Sequence, residues 1–562
     1  MFRLLGGFFI AIALAACSVA EQPNANQAGV TPHTGAVASP DQYGAMVAEQ
    51  VLRNGGNAVD AAVATAFTLA VTYPEAGNIG GGGFMTIWFE GNPYFVDYRE
   101  TAPAAAHRDM YLDDDGKIIE NLSLIGAQAS GVPGTVLGLW EVHQKFGNLP
   151  WSELIAPAIQ YAENGFEISD KQAIYRENLF EQLAERTNFM DYFGTMEAGT
   201  VLVQNELAST LERIAEQGPN DFYQGETANL LVAQMERDGG VITLEDLSSY
   251  RVAWREPMLT DWQGYQVVTA PPPSSGGIAL AQLLGLKERI ESDFANVSFN
   301  SAQYVHLIAE IEKRVFADRA DYLGDPDFMQ VPQAELVDPS YLDQRAAEIN
   351  PHAISVTAEV KPGLESHQTT HFSILDKHGN AVSNTYTLNL SYGNGVVVEG
   401  AGFLLNNEMD DFAAKAGVPN AFGVVGSDAN AIEPGKRMLS SMAPTLLVHD
   451  NQVELVIGTP GGSTIFTSIF QVINNLYDYD MSLADAVAAP RFHHQLLPQD
   501  EISMEPYAEL DVRVQHELRE RGYNLVTQAW NLGDIQAIKV TNGAVEAVAD
   551  PRGRGVANVF NY

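Results

Sequence analysis

Cysteine is almost absent from this chain: Cys17 is the only one in 562 residues. A single cysteine excludes an intrachain disulfide. Basic residues are also scarce, since 31 lysines and arginines stand against 71 aspartates and glutamates, for a net charge of −40. That imbalance argues against nucleic acid as a partner and against broad contact with anionic lipid.

The apolar run from Leu4 to Ala16 is too short to cross a bilayer. It follows a positively charged start, so residues 1–16 are predicted to be a signal peptide. Leu14-Ala15-Ala16-Cys17 resembles a bacterial lipobox, which would make Cys17 the lipidated mature N-terminus. The alternative is a plain signal peptide cut near Ala20. We therefore expect an exported protein, in the periplasm or attached to the outer membrane of a Gram-negative bacterium, that meets the membrane only through a lipid anchor.

Residues 17–38 are small and polar and are predicted to form a flexible tether. The chain beyond them shows no repeats and no linker of domain-boundary length. We expect one globular unit rather than several domains.

Residues 369–388 have the pattern of a β-hairpin. Phe372 and Ile374 alternate with polar neighbours, and Gly379 closes a three-residue turn. If Asp376 pairs with Asn380, the register places Thr369 opposite Thr387. An ordinary hairpin with threonines chosen for strand propensity explains the same pattern.

A threonine hydroxyl becomes a useful nucleophile when the α-amino group of the same residue acts as its base. That amine has a reference pKa of roughly 7.7–8.0. The hypothesis therefore requires cleavage of the Gln368–Thr369 bond, because an internal threonine has no free amine.

The turn Gly461-Gly462 lies between a predicted strand and a helical pattern that begins near Ile465. Backbone N–H groups at such a turn can stabilise an oxyanion. A phosphate loop is disfavoured because the Gly-Lys-Ser/Thr ending is missing. Close packing of a strand against a helix explains the glycines equally well.

Charged residues form two further candidates for a binding site. The segment from Asn406 to Asp411 holds three carboxylates and two amides, which could bind an ammonium group or form a solvated acidic turn. Arg99 could bind a carboxylate through two parallel hydrogen bonds, or pair with Asp97 or Glu100. His493 and His494 are adjacent, so on a strand they would point to opposite faces and make poor joint metal ligands.

From about residue 28 to the C-terminus the chain resembles the γ-glutamyltranspeptidase family, also called glutathione hydrolases. The resemblance rests on Asp97–Pro103, Thr369–His371, Thr385–Asn389, Leu405–Asp411, Leu439–Met442 and Pro460–Gly462. It implies the α+β fold of N-terminal-nucleophile hydrolases, a four-layer αββα sandwich. It also implies a precursor that cuts itself into a large subunit, residues 39–368, and a small catalytic subunit, residues 369–562, intertwined in one core.

The resemblance assigns roles to individual residues. Gln368 and Thr369 would flank the autocleavage site, and Thr369 would then be the mature nucleophile. The other implied assignments are Thr387 as its hydroxyl partner, Gly461 and Gly462 as the oxyanion hole, Arg99, Ser440 and Ser441 for the substrate α-carboxylate, and Asn389, Glu408 and Asp411 for its α-ammonium.

The implied reaction transfers a γ-glutamyl group from glutathione or another γ-glutamyl compound to water, an amino acid or a peptide. It requires no metal and no organic cofactor. Glu408 stands where bacterial relatives often have glutamine. The stretch Phe412–Arg437 matches a lid loop in which Phe422 replaces a frequent tyrosine.

Three rival functions remain at this stage. A cephalosporin (glutaryl) acylase shares the implied fold, but its substrate lacks the ammonium group that the acidic cluster would bind. A capsule-remodelling transpeptidase would use a polymeric acceptor. A catalytically inactive binding lipoprotein would fail to mature.

The excess of negative charge generates a first prediction. Self-repulsion destabilises a compact state, and salt screens it, so the unfolding midpoint should rise from low to molar sodium chloride. Such salt adaptation would fit a saline habitat. Thermal unfolding at several salt concentrations tests this, and an unchanged midpoint would contradict it.

Overall fold

The computed structural model describes residues 33–356, 369–413 and 428–562. Its helices are α1 Gln42–Arg53, α2 Ala58–Thr72, α3 Thr135–Phe146, α4 Trp151–Asn164, α5 Asp170–Ala184, α6 Phe189–Phe193, α7 Asn205–Gln217, α8 Pro219–Gln224, α9 Glu226–Asp238, α10 Leu244–Ser249, α11 Gly276–Arg289, α12 Glu291–Phe294, α13 Ala302–Tyr322, α14 Gln333–Leu336, α15 Pro339–Ala347, α16 Thr464–Tyr477, α17 Leu483–Ala488 and α18 Val512–Arg521.

The strands run through the whole described chain. They are β1 Thr34–Ser39, β2 Gly82–Phe89, β3 Asn92–Asp97, β4 Phe166–Glu167, β5 Val201–Leu202, β6 Ala253–Arg255, β7 Met258–Trp262, β8 Tyr265–Thr269, β9 Thr370–Leu375, β10 Ala381–Thr387, β11 Thr445–His449, β12 Gln452–Gly458, β13 Phe492–His493, β14 Glu501–Met504, β15 Asn524–Thr527, β16 Gln536–Thr541, β17 Ala544–Ala549 and β18 Val556–Asn561.

Two large sheets pack face to face between layers of helices. The seven-stranded sheet has the order β18-β1-β9-β10-β2-β3-β6, and the six-stranded sheet the order β17-β16-β12-β11-β8-β7. Apolar side chains such as Ala38, Leu375 and Val456 fill the space between the sheets. One core joins the outer face of the first sheet to α1, α2 and α4, and another joins the second sheet to α11, α13 and α16. The predicted four-layer αββα sandwich is confirmed.

The chain segments before and after Thr369 are interlaced in both sheets. In the seven-stranded sheet, β9 and β10 lie between β1 and β2, and the C-terminal β18 covers the edge beside β1. In the six-stranded sheet, β8 and β7 extend the C-terminal strands β16, β12 and β11. Neither segment could therefore form its sheets without the other, which confirms the prediction of an intertwined core.

The hairpin β9–β10 has the predicted register. Leu375 pairs with Ala381 and Thr370 pairs with Tyr386, so the pairing brings Thr369 next to Thr387. The backbone N–H of Asp376 donates to the carbonyl of Asn380 at 3.0 Å. Gly379 closes the turn with φ of 80°, a left-handed conformation that glycine adopts without a steric penalty.

A capping box at Asn57 fixes the start of α2. The Asn57 side chain accepts hydrogen bonds from the N–H groups of Val59 and Asp60, and Asp60 bonds back to the Asn57 N–H. This helix, α2, is buried along its whole length against the seven-stranded sheet.

The tether predicted for residues 17–38 extends too far toward the C-terminus. Residues 34–38 belong to β1, which pairs with β18 on one side and β9 on the other. Their small side chains are buried between the layers, which explains why a strand here has the composition of a linker. In the part of the chain that the structure describes, no helix is long and apolar enough to cross a membrane.

Gly80 to Gly83 pass close to other backbone segments beside the hairpin. A Cβ atom on Gly81 would lie 2.0 Å from the carbonyl oxygen of Thr387, and one on Gly80 would lie 2.1 Å from that of Leu404. The run of glycines therefore permits close packing near Thr369.

Gly81→Ala should destabilise the protein by about 3 kcal/mol, because overpacking against backbone cannot relax through a rotamer change. The control is Gly116→Ala, where φ is 70° but no atom lies within 4 Å of the new Cβ. That control should lower the free energy of unfolding by only about 1 kcal/mol, because alanine would have to adopt a left-handed backbone conformation. Thermal unfolding compares the two variants, and equal midpoints would contradict the packing argument.

Candidate active site

Most of the site residues that the sequence singled out come together around one pocket. We call it the charged pocket. Its walls include Arg99, Thr369, Thr387, Asn389, Glu408, Asp411, Ser440, Ser441 and Gly462. They come from both sides of the Gln368–Thr369 bond and from separate loops, so only the folded sandwich assembles them.

Thr369 lies directly before β9 and is 8% exposed. Its neighbour Thr387 ends β10, and the Thr387 hydroxyl oxygen accepts a hydrogen bond from the N–H of Asn389 at 2.7 Å. Asn78 holds the same turn, because its amide donates to the Thr387 carbonyl at 2.9 Å. The two threonine side chains are therefore placed by backbone that has little freedom to move.

His371 does not act as a base or hydrogen-bond partner for Thr369. Its ring nitrogens lie 2.8 Å from the hydroxyl of Thr385 and 3.1 Å from that of Ser373. Burial lowers the pKa of His371 to about 3, so the ring is neutral at working pH. The histidine next to the two threonines is a packed, hydrogen-bonded core residue.

The turn after β12 delivers backbone N–H groups to the pocket. Gly461 and Gly462 both have positive φ, of 135° and 55°, and α16 follows directly. Thr464 holds the turn, because its backbone N–H donates to the Gly461 carbonyl at 3.0 Å and its hydroxyl donates to the same carbonyl at 2.8 Å. The Gly462 N–H forms no hydrogen bond to any of the described residues, so it can donate to a bound group.

Arg99 is at the centre of the charged pocket and is 1% exposed. Its guanidinium donates to the carboxylates of Glu408 and Asp411, and a third carboxylate, Glu100, lies 3.7 Å away. Asp97 accepts from the Arg99 backbone N–H rather than from the side chain. The acidic segment is therefore a buried partner of Arg99 and not a solvated turn.

These charged groups strongly shift one another's pKa values. Burial raises the pKa of Glu100 to about 8, and burial also raises the pKa of Glu408 and of Asp411, although Arg99 opposes each shift. Burial lowers the pKa of Arg99, but the three carboxylates outweigh that effect and raise it above its ordinary value. Three acids thus surround one cation, and the pocket carries an excess of acidic groups.

Ser440 and Ser441 lie in a loop that a second loop holds in place. The carbonyl of Ser440 accepts from the backbone N–H of Ser275 at 2.7 Å and from its hydroxyl at 2.8 Å. The side chain of Arg319 donates to the same Ser275 hydroxyl at 2.9 Å. The hydroxyl of Ser441 is buried and finds no partner among the described residues.

Sequence reasoning missed several of these supporting residues. The segment containing Ser275 reads as a simple proline-rich turn, and Asn78 carries no motif that points to the pocket. One available signal was the clustering of serines and glycines at the start of α11, where a tight approach of two backbones is expected.

Three predicted site residues, Cys17, Gln368 and Phe422, lie outside the described residues. Of the predicted lid stretch, the described ends pack against the loop after β3: Phe412 and Ile432 share an apolar cluster with Ala102 and Tyr111. Among the described residues, no group of three or more histidines, cysteines or carboxylates is arranged to hold a metal ion. His493 instead lies 2.9 Å from the hydroxyl of Thr467.

The sandwich and a threonine at the start of a central strand define the class of N-terminal-nucleophile hydrolases. The family model described as Gamma-glutamyltranspeptidase matches residues 44–560, and the chain belongs to this family. A glutathione hydrolase proenzyme from Pseudomonas aeruginosa is 67% identical over 525 residues, which cover 93% of this chain and 94% of that protein. The protein is an autoprocessing enzyme of γ-glutamyl transfer and glutathione hydrolysis.

Two solved structures agree with this placement. A γ-glutamyltranspeptidase from Pseudomonas nitroreducens complexed with L-DON is 65% identical, with a TM-score of 0.57, and covers 58% of this chain and 97% of that chain. A cephalosporin acylase from Bacillus halodurans is 26% identical, with a TM-score of 0.81, and covers 94% of this chain and 96% of that chain. The acylase shares the fold, so the fold alone does not separate the two activities.

The raised carboxyl pKa values generate a prediction for stability. A carboxyl whose folded pKa is raised binds its proton more tightly in the native state, so the free energy of unfolding falls as pH rises from about 4.5 to about 8. Glu100→Gln removes one such group and should reduce this slope by at most about 1.4 kcal/mol per pH unit.

Unfolding measured between pH 5.5 and 8.5 tests the prediction. The matched control is Glu216→Gln on the exposed face of α7, which should leave the slope as it is in the parent protein. A slope that Glu100→Gln does not change would show that Glu100 is ionised throughout this range.

Proposed function

We propose that Thr369 is the nucleophile of γ-glutamyl transfer and that the charged pocket binds the γ-glutamyl head of the donor. The observation that carries the proposal is the position of Thr369 on the wall of a pocket whose other walls present a buried arginine and several carboxylates. A γ-glutamyl group is a zwitterion on a short stem that ends in an amide. Binding both charges of the head would bring the amide carbonyl to Thr369.

Charge complementarity supports the proposal that the charged pocket binds the γ-glutamyl head. In the structure, Arg99 bonds to Glu408 and Asp411, so cation and anions satisfy one another. A bound α-carboxylate would take hydrogen bonds from Arg99 and from the unpartnered Ser441 hydroxyl. The α-ammonium would replace Arg99 as the partner of Glu408 and Asp411, so that neither charge of the head is buried without a partner.

A glutaryl donor fits this arrangement less well. It offers a carboxylate to Arg99 but no ammonium to Glu408 and Asp411, which would leave those acids without their cation. Uncompensated buried charge is costly. We therefore favour γ-glutamyl amides over glutaryl amides as donors.

The reaction then follows from the positions of the groups. The free α-amino group of Thr369 accepts the proton of its own hydroxyl, and the oxygen attacks the γ-carbonyl carbon. The N–H groups of Gly461 and Gly462 stabilise the oxyanion. The C–N bond breaks, the amine leaves with a proton, and the γ-glutamyl ester on Thr369 is resolved by water or by another amine.

The free amine requires cleavage between Gln368 and Thr369, which would divide the chain into subunits of residues 39–368 and 369–562. The P. nitroreducens chain supports such a division, because 58% of this chain accounts for 97% of its length. Export to the periplasm, with a lipid on Cys17, is part of the proposal and rests on the first residues of the sequence.

Intact mass and N-terminal sequencing of the purified protein test the nucleophile. The parent protein should yield a fragment beginning Thr-Thr-His-Phe-Ser, and Thr369→Ala should remain one chain without activity toward a γ-glutamyl anilide. The matched control is Thr370→Val, which removes a buried hydroxyl that has no partner among the described residues. It should still be cleaved, and cleavage of Thr369→Ala at the same bond would refute the assignment.

A further inference from the structure

Arg319 is a buried arginine that does not line the charged pocket. It lies in the last turn of α13 and is 3% exposed. Burial lowers the pKa of Arg319 to about 9, and the charge of Asp411 opposes that shift. The guanidinium is therefore cationic near neutral pH, and it interacts electrostatically with a carboxylate on the wall of the pocket.

The hydroxyl of Ser275 connects Arg319 to residues 439–442, which we call the Ser440 loop. Nε of Arg319 donates to Oγ of Ser275 at 2.9 Å, and the same Oγ donates to the carbonyl of Ser440 at 2.8 Å. A hydroxyl has a single proton, so accepting from Arg319 leaves that proton for Ser440. Ser275 is fully buried, so bulk water does not compete for these bonds.

The loop before α11 also contacts the far end of the Ser440 loop. The hydroxyl of Ser274 donates to the carbonyl of Met442 at 2.6 Å. A Cβ atom on Gly276 would lie 2.6 Å from the carbonyl oxygen of Ser441, so the two backbones approach closely. A shift of the loop before α11 would therefore move the Ser440 loop with it.

The Ser440 loop presents two hydroxyls to the charged pocket, those of Ser440 and Ser441. Oγ of Ser440 accepts from the N–H of Met442 at 3.2 Å, which leaves its own proton to donate to a bound group. The hydroxyl of Ser441 has no partner among the described residues. A bound carboxylate can accept from both hydroxyls only if the backbone that carries them is held in place.

We propose that Arg319 is a positioning residue for the donor head. Through the Ser275 hydroxyl, it holds the Ser440 loop where its two hydroxyls meet the α-carboxylate. This proposal rests on the proposed function and adds no step to the reaction, because Arg319 touches no reacting atom. A charge-assisted hydrogen bond is stronger than one between neutral groups, which explains an arginine rather than a neutral donor at this buried position.

The measurement that tests the proposal is binding of the γ-glutamyl head to the cleaved enzyme. Free L-glutamate carries the same head, so its inhibition constant against a γ-glutamyl anilide measures head binding without a chemical step. Arg319→Gln should raise that constant about tenfold, the usual effect of losing one charge-assisted hydrogen bond, and kcat should stay within about twofold of the parent value. Arg319→Lys should recover most of the affinity, because an ammonium can still donate to the Ser275 hydroxyl.

Ser275→Ala tests the route by which Arg319 acts. This variant removes one hydroxyl and leaves the guanidinium in place, and it should raise the inhibition constant as well. The double variant that combines it with Arg319→Gln should bind L-glutamate no more weakly than the weaker single variant, because both changes break the same chain of hydrogen bonds. Ser275→Ala also carries the test if Arg319→Gln does not fold or mature.

The alternative role for Arg319 is purely structural, as an anchor for the end of α13. Arg314 is the matched control, because it lies on the same helix, is 1% exposed and donates to the Glu310 carboxylate at 2.9 Å. Arg314→Gln removes an equally buried guanidinium. It should lower the unfolding midpoint while the inhibition constant for L-glutamate stays at the parent value.

An unchanged inhibition constant in Arg319→Gln or in Ser275→Ala would overturn the proposal, and so would an equal rise in Arg314→Gln. Additive losses in the double variant would also overturn it, because Arg319 would then act by a route other than Ser275. Failure of the proposed function has a different signature: the parent enzyme itself would not hydrolyse a γ-glutamyl anilide.

Discussion

The antiparallel pairing of β9 with β10 in the middle of the seven-stranded sheet is the constraint on which the site depends. It fixes Thr369 at the beginning of one strand beside Thr387 at the end of the other. Strands from the N-terminal part of the chain lie on both sides of this hairpin, so Thr369 cannot shift without disturbing the sheet. Cleavage before Thr369 would therefore release a chain end without displacing the residue that carries it.

The second constraint is electrostatic. Arg99 and its carboxylates are buried at the bottom of the charged pocket, where an unpaired charge is costly. In the structure, Arg99 and these carboxylates pair with each other. A zwitterionic head could replace that pairing, because it carries both a negative and a positive charge. Under the proposed function, specificity for γ-glutamyl groups and stability of the pocket thus depend on the same few side chains.

Much of the fold and of the candidate site could be predicted from the sequence. The hairpin register followed from the alternation of Phe372 and Ile374 and from the glycine turn, since both are local properties. The pairing of Arg99 with Glu408 was not accessible, because the residues are far apart in the chain and local patterns favoured Asp97 or Glu100. The tether was predicted too long for a related reason: small residues suit a linker and also a strand packed between two sheets. Ser275 supports the Ser440 loop because two loops approach each other in the fold. No local pattern in the sequence predicts that approach.

The most direct test of the account is to locate the covalent intermediate. The cleaved enzyme would be mixed with a γ-glutamyl donor, quenched in acid within its first turnovers, and digested for peptide mass mapping. We expect a γ-glutamyl ester on Thr369 at the N-terminus of the small subunit. An adduct on any other residue, or steady turnover without any adduct, would contradict it.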